Sequence, residues 1–375
     1  MRLCPLYRKT IRETLMRTDT PHSRPRFWLL LIPVVAAVVA AVIPTWSHIV
    51  GYRDRSVTST SEVPKFQVIE LPRTLDGTPI TALTFAPDST IVVGTVSGKV
   101  EFRNKDTLPS AATIMQVSNE PIIAVAVSRD GSKFAAATDR TVYAANRSEP
   151  MEWIAIQPFV SGDPSMVESL ALDARGELLA VGTFGVDVYN TRTGKMVADL
   201  DQPVVSERGQ YRNLGFSADG TTLYASDYTQ TELWDVPSRS LKQSLPCECY
   251  WNGSGRWLSE GTSDGHAIIR DAATGRVVRD LTVAVGKEAY VVSATVTDDG
   301  RRLFTFAGNG DLTGWSESNV EPISRLSLDR HIVNGFLRLS PDFHYLVLEV
   351  EDEDTNFIQA AHRYERKILI LKLAK

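Results

Sequence analysis

The chain of 375 residues is short of the residue types that build reactive centres. It has three cysteines and six histidines. The histidines show no short metal-ligand spacing, and no glycine-rich loop follows a strand and opens a helix, so neither a zinc or haem signature nor a phosphate loop is present. Three cysteines, with Cys4 far from the other two, give no disulfide framework. Long apolar runs are scarce too. The one stretch of note is Phe27 to Ile43, seventeen positions without a charge, with Trp28 and Trp46 near its ends.

That stretch divides the chain. Residues 1–26 hold seven Lys or Arg against two acids, which by the positive-inside bias places this arm in the cytoplasm. Tyr7, Ile11 and Leu15 recur among its basic residues at a four-residue spacing that suits a short helix on the inner leaflet or an unstructured tail. No small-x-small cleavage site follows the apolar run, so the reading is a retained transmembrane signal-anchor over 27–46 rather than a cleaved leader. Residues 47–65, with SVTSTSEVP at 56–64, read as a flexible stalk. Taking the seven and two from totals of 40 basic and 45 acidic residues leaves 33 and 43 beyond position 26, a net charge of −10. So acidic a region is a poor partner for nucleic acid, and a solvated exported domain accounts for the charge.

From residue 66 onwards the chain repeats. Seven turn-like tetrapeptides begin at Ala86, Ser128, Asp173, Ser217, Asn252, Thr297 and Ser340, about 35 to 45 residues apart. Counted from the fourth turn residue, the positions six and four places upstream are apolar in all seven copies, from Leu83 and Phe85 to Leu337 and Leu339. Three places downstream stand Val92, Phe134, Leu179, Leu223, Leu258, Leu303 and Leu346. Same-face residues entering and leaving a turn describe a hairpin. A second hairpin signal follows in the first six copies, such as Ser97-Gly98, Asp264-Gly265 and Asn309-Gly310. Polar punctuation then closes a third strand at Asn104, Asn146, Asn190, Asp235, Asp271 and Ser316, and outer strands read at 196–200, 241–245 and 277–281.

Four strands per period, seven times, predict an all-β, seven-bladed β-propeller over 66–375, preceded by a single N-terminal transmembrane helix. Blade four, with Ser217-Ala-Asp-Gly, Leu223 and then Leu233-Trp234-Asp235, resembles the WD40 repeat family. The usual Gly-His dipeptide is missing and Trp-Asp occurs in blade four alone, so strand packing is expected to replace much of that family's buried His–Asp network. An open ring would leave two sheet edges unpaired. The 66–71 segment (FQVIEL) is therefore expected to lie beside 368–373 (ILILKL) as the outer strand of blade seven.

Placed on this register, most chemical motifs lose their force. Gly261-Thr-Ser-Asp-Gly265 fits a nucleophile elbow, but it falls in a hairpin rather than a strand-to-helix turn, so Ser263 is read as turn chemistry and His266 as packed or solvated. Asp352, Asp354 and Asn356 match half a calcium loop, yet Phe357 stands where glycine is required and Arg363 where a glutamate is. Cys247 and Cys249, two apart on an extended strand, would have Cα atoms near the limit for a disulfide, which allows a strained redox pair in an oxidising compartment; since Cys249 takes a register position that is apolar in every other blade, a small core residue is the favoured reading, and the oxidation state is left open. Asn146 and Asn252 head glycosylation sequons by pattern. No catalytic, cofactor or metal residue is nominated.

The register breaks once. Between blades six and seven the punctuation interval lengthens to 56 residues, Ser316 to Lys372, because Glu351 to Arg363 replaces a tight turn. In such a ring this hairpin shares a face with the loops that enter each blade. A partner-binding face is accordingly expected around Arg208, Tyr211, Glu288, Tyr290, Arg330 and His331, with Glu351, Asp352, Glu353 and Asp354 of the insertion, a polar-aromatic mixture suited to an interface. The expected role is a membrane-tethered extracytoplasmic (periplasmic or extracellular) scaffold or accessory subunit with a protein partner. A quinoprotein-like or hydrolase propeller, which would need polar residues converging at the channel mouth, and a ligand sensor signalling through the anchor are the alternatives.

Overall fold

The computed structural model describes residues 66–70, 78–104, 111–149, 152–157, 167–200, 210–252, 255–283, 290–317, 322–328, 332–352 and 367–373. The expected arm, anchor and stalk over 1–65 lie outside them. The described residues contain 28 strands and no helix. They form seven antiparallel sheets of four strands.

In six sheets the strands follow chain order. Blade one, for example, runs through Ile80–Phe85, Ile91–Thr95, Lys99–Arg103 and Ala111–Gln116. The first strand of every sheet borders one central cavity, so these strands are innermost and the sheets radiate from it. Each pair of neighbouring blades encloses its own apolar cluster. Ala135, Val142 and Val167 with Leu179 and Val181 fill the space between blades two and three; Ile80, Leu83 and Ile91 with Tyr345, Val347 and Ile370 fill that between seven and one. Seven clusters occupy seven such interfaces, which closes the circle without a gap.

The seventh sheet joins the two ends of the domain. Its inner strands Ile332–Leu339 and Tyr345–Asp352 are followed by Lys367–Lys372 and then, outermost, by Gln67–Glu70. The register Gln67↔Lys372 to Glu70↔Leu369 is the pairing expected from the two apolar segments. Phe66 and Val68 add to the cluster between blades six and seven.

Turn chemistry explains why the register repeats. The first turn residue accepts a hydrogen bond from the amide five places on in six blades: Lys133 N to Ser128 Oγ, Leu178 N to Asp173 Oδ1, Thr222 N to Ser217 Oγ, Trp257 N to Asn252 Oδ1, Arg302 N to Thr297 Oγ1 and Tyr345 N to Ser340 Oγ. Short polar side chains hold such bends because their oxygen substitutes for a backbone acceptor. Blade one has Ala86 there and cannot. Its turn is one residue tighter, with Ala86 N on Thr90 O, so Ile91 rather than Val92 stands opposite Phe85 and matches Phe134 of blade two. Asn252 is spent on this bond and is buried, which removes its sequon from the surface.

For the cysteines the core placement holds, and of the two readings of their oxidation state the less favoured one is found. Cys247 and Cys249 are buried in the cluster between blades four and five, as a core pair should be, but they are joined by a disulfide. The assumption of an extended strand was the error. Cys247 N donates back to Leu245 O at 2.8 Å, and this bend brings the two Cα atoms to 5.4 Å, inside the usual range for a bridge. Thr231 Oγ1 then ties the loop down, donating to Cys247 O and accepting from Cys249 N. The inner strand of blade five begins only afterwards, as Tyr250–Trp251.

Candidate functional site

An up-and-down sheet brings the start of its first strand and the turn between its second and third strands to the same end. The loops entering the blades and these second turns therefore share one face, and the first turns share the other.

On the blade-entering face the second turns carry a repeated cap. Thr95, Thr138, Thr183 and Thr262 accept from the amides of Lys99, Thr141, Gly185 and His266 through their hydroxyls. Blade four has Asp227 instead, whose Oδ1 accepts from Thr229 N, Thr229 Oγ1 and Gln230 N. Ser263 lies within the blade-five turn, as expected. His266 Nδ1 meets Asp280 Oδ1 at 2.7 Å, and this bond raises the imidazole above its ordinary pKa.

Of the sequence-nominated residues, Tyr211 and Tyr290 are described in full. Tyr211 is buried at the root of the loop entering blade four. Its hydroxyl donates to Glu232 Oε2 at 2.8 Å, its amide donates to Thr183 O, and its carbonyl accepts from Ser169 Oγ. Trp234 Nε1 donates to the same Glu232 oxygen at 3.0 Å, so a glutamate organises the tryptophan that the family resemblance picked out. Tyr290 is half-buried; its carbonyl accepts from Gly308 N and its ring lies across Gly308, where a Cβ would fall 2.0 Å from Cζ. Glu351 and Asp352 end a strand of eight residues, opposite Asn334 and Ile332. Arg208, Glu288, Arg330, His331, Glu353 and Asp354 lie outside the described residues, as do Asp354, Asn356 and Arg363 of the half calcium loop.

A group that the sequence reading passed over gathers at the channel mouth on this face. The Arg212 guanidinium lies 4.2 Å above the Tyr228 ring, a cation–π distance. Tyr250 donates its hydroxyl to Glu248 Oε1 at 2.9 Å, and its ring meets Phe336 of blade seven across the channel, centroids 5.6 Å apart. Burial pushes the Glu248 carboxyl above its ordinary pKa, and the nearby charge of Asp227 adds to that; the Tyr250 hydroxyl and Arg212 pull the other way. Burial and the Glu248 charge raise the Tyr250 phenol as well. Two polar atoms are buried without a hydrogen-bond partner, Asp227 Oδ2 and Arg212 Nε. The sequence signal was slight: an aspartate in a turn, and a glutamate alternating with two cysteines that drew attention to themselves.

The opposite face opens into the central cavity, about 530 Å3, whose walls include Leu170, Leu214, Phe216, Trp251 and Leu339 with Arg129 at the rim. Phe343 also reaches it, from a turn where its φ of 58° takes the place that glycine holds in five other blades. The volume suits a small ligand.

Fold and face together define a closed, seven-bladed, all-β propeller of repeated four-stranded units. No protein-family model matches the chain, and no curated protein matches it.

Proposed function

We propose that this protein is a membrane-tethered, extracytoplasmic propeller that serves as a protein-interaction scaffold or as the accessory subunit of a membrane complex. The observation that carries the reading is the build of blade seven. Its two inner strands have eight residues each, where the corresponding strands of the other blades have two to six. Both extend on the blade-entering face, the second of them to Asp352. Exposed Phe184 and Tyr228 stand on the same face, at matching turns of neighbouring blades. Aromatic side chains in such positions are the usual anchors of protein interfaces.

The Cys247–Cys249 disulfide supports the compartment, since such bonds persist outside the reducing cytosol. The anchor over 27–46 and the basic arm before it supply the tether and the orientation. Crosslinking in the native membrane followed by affinity purification tests the scaffold. A stoichiometric protein partner is expected, whose recovery falls when 353–366 is replaced by a short Gly-Asn turn. Recovery of none, with turnover of a small molecule by the intact protein, would overturn the reading. Protease added from the cytoplasmic side should spare the propeller; its digestion there would reverse the topology.

The cavity gives one alternative a specific footing. A ligand-sensing propeller would use that space, and it predicts saturable binding of a small molecule that Leu214→Trp abolishes.

A further inference from the structure

One register position of the inner strands is small in most blades and charged in blade seven. Five places back from the fourth turn residue stand Thr84, Ala126, Ala171, Gly215, Tyr250 and Thr295, and then Arg338. All but Tyr250 line the central cavity, and the small side chains leave its space open. Closing the ring does not require an arginine there, since six blades pack without one. Leu337 and Leu339 on either side of it already carry the packing between blades six and seven.

Glu349, on the second strand of the same blade, holds Arg338 at its root, with Nε 3.4 Å from the buried Oε1. That contact employs one nitrogen of three. The side chain is 48% exposed, and among the described residues nothing bonds to its two terminal nitrogens. The planar fork is therefore open to solvent in the wall of the cavity.

A second guanidinium crosses the mouth. Arg129, in the first turn of blade two, reaches the corresponding turn of blade five, where a Cβ on Gly255 would fall 3.4 Å from its Nη2 and 2.4 Å from Cζ2 of Trp251. Asp298 is the one acidic residue of the described lining, and its Oδ1 accepts from Asn252 Nδ2 at 3.3 Å. The charges that line the cavity are thus cationic in sum, within a region beyond residue 26 whose net charge is −10. Charge of one sign gathered in a cleft draws the opposite ion. A guanidinium fork takes a carboxylate through two parallel bonds. Leu170, Trp251 and Phe343 add apolar surface to the same space. Phe343 does so from φ 58°, a conformation that a bulky side chain resists and that persists where the side chain has work to do.

We propose that the central cavity binds a small organic carboxylate with an apolar body, its carboxylate paired with the Arg338 fork and its body against Trp251 and Phe343. The site lies on the face opposite the scaffold surface. It gives the ligand-sensing alternative its ligand class, and rests on that reading for what binding does rather than for binding itself.

The test uses the full-length chain in phosphatidylcholine nanodiscs, with empty nanodiscs as the blank, titrated calorimetrically with 4-phenylbutyrate and with its neutral amide. The acid should bind more tightly by roughly tenfold, the worth of one charged hydrogen-bonded pair. Arg338→Gln should remove that preference, and its melting temperature checks that it folds. Phe343→Gly should raise the melting temperature and yet weaken the acid by roughly fivefold, which a ring with only a structural role would not do. Should Arg338→Gln unfold for want of a partner for Glu349, phenylglyoxal decides on the wild-type chain. It should modify Arg338 in the mapped digest, with protection by the acid and none by the amide. Equal binding of acid and amide, binding of neither, full preference in folded Arg338→Gln, or no protection of Arg338 overturns the proposal. The sensing reading is judged separately. If both probes bind equally and Leu214→Trp abolishes both, the cavity is a ligand site and the carboxylate pairing falls; if the acid binds as proposed but leaves the proteins recovered from the native membrane unchanged, the pairing stands and sensing falls.

Discussion

Replacing Phe66–Glu70 by Gly-Ser of equal length should open the ring at one place. The strand Gln67–Glu70 pairs with Lys367–Lys372 through four residues, and Phe66 and Val68 pack on the cluster between blades six and seven. About four ladder hydrogen bonds at roughly 1 kcal/mol net give ~4 kcal/mol, and two partly buried apolar side chains contribute about 1 kcal/mol each. The total loss is on the order of 6 kcal/mol, which at roughly 2 °C per kcal/mol for a domain of this size is a fall of about 10 °C in melting temperature. Magnitude alone does not identify closure, because any outer strand would cost something similar. The distinguishing control is the same replacement at Met196–Asp199, the outer strand of blade three, whose removal leaves the chain continuous on both sides. Hydrogen exchange should show protection lost across both blades one and seven in the first variant, since only the apolar cluster of Ile80, Ile91, Val347 and Ile370 then joins them. In the control, loss should stay near blade three. Exchange confined to Lys367–Lys372 in the first variant would refute the argument that this strand closes the ring.

Three further outcomes are expected. Arg239, at φ 55°, occupies the turn position that Gly194 and Gly275 fill at φ 68° in blades three and five, so Arg239→Gly should raise stability by up to about 1 kcal/mol in a urea or thermal titration. Tyr211→Phe should lower stability by about 1–3 kcal/mol, because it removes a donor from the buried Glu232 carboxylate, while leaving the captured partner unchanged. Asp280→Asn should return the His266 titration, followed by proton NMR of the ring, towards the ordinary imidazole value. The folded pKa of His266 is the raised one, so its pairing favours the fold below the unfolded value near 6.5 and fades as pH rises through the folded value.

The fold was legible because each blade states its own solution. Ser128, Asp173, Ser217, Asn252, Thr297 and Ser340 differ in type, yet all accept the same amide five residues on, and sequence spacing records that directly. Strand pairing at the two ends of the domain was legible for a related reason, since 66–71 and 368–373 had apolar faces with no local partner. Where a local exception arose, the reading slipped. Ala86 lacks the acceptor and shortens its turn; Cys247 bends back on Leu245 and makes a bridge that an extended strand does not allow.

The cluster at the channel mouth was illegible for a different reason. Its members come from three segments, Arg212, Asp227 and Glu248 with Tyr250, that lie 15 to 38 residues from one another along the chain, and none breaks the repeat. Asp227 satisfies the same turn rule as the threonines of blades one, two, three and five, using one oxygen. A threonine hydroxyl there would be exhausted by that duty. The carboxylate has a second oxygen, and only the folded ring shows that the oxygen is buried, near Glu248, and without a donor. A sequence pattern records what a position does for the fold; the capacity left over, here one oxygen of an aspartate and one nitrogen of an arginine, emerges when separate segments of neighbouring blades are brought edge to edge. That is why the insertion of blade seven drew the eye in the sequence while this cluster lies in the regular blades four and five.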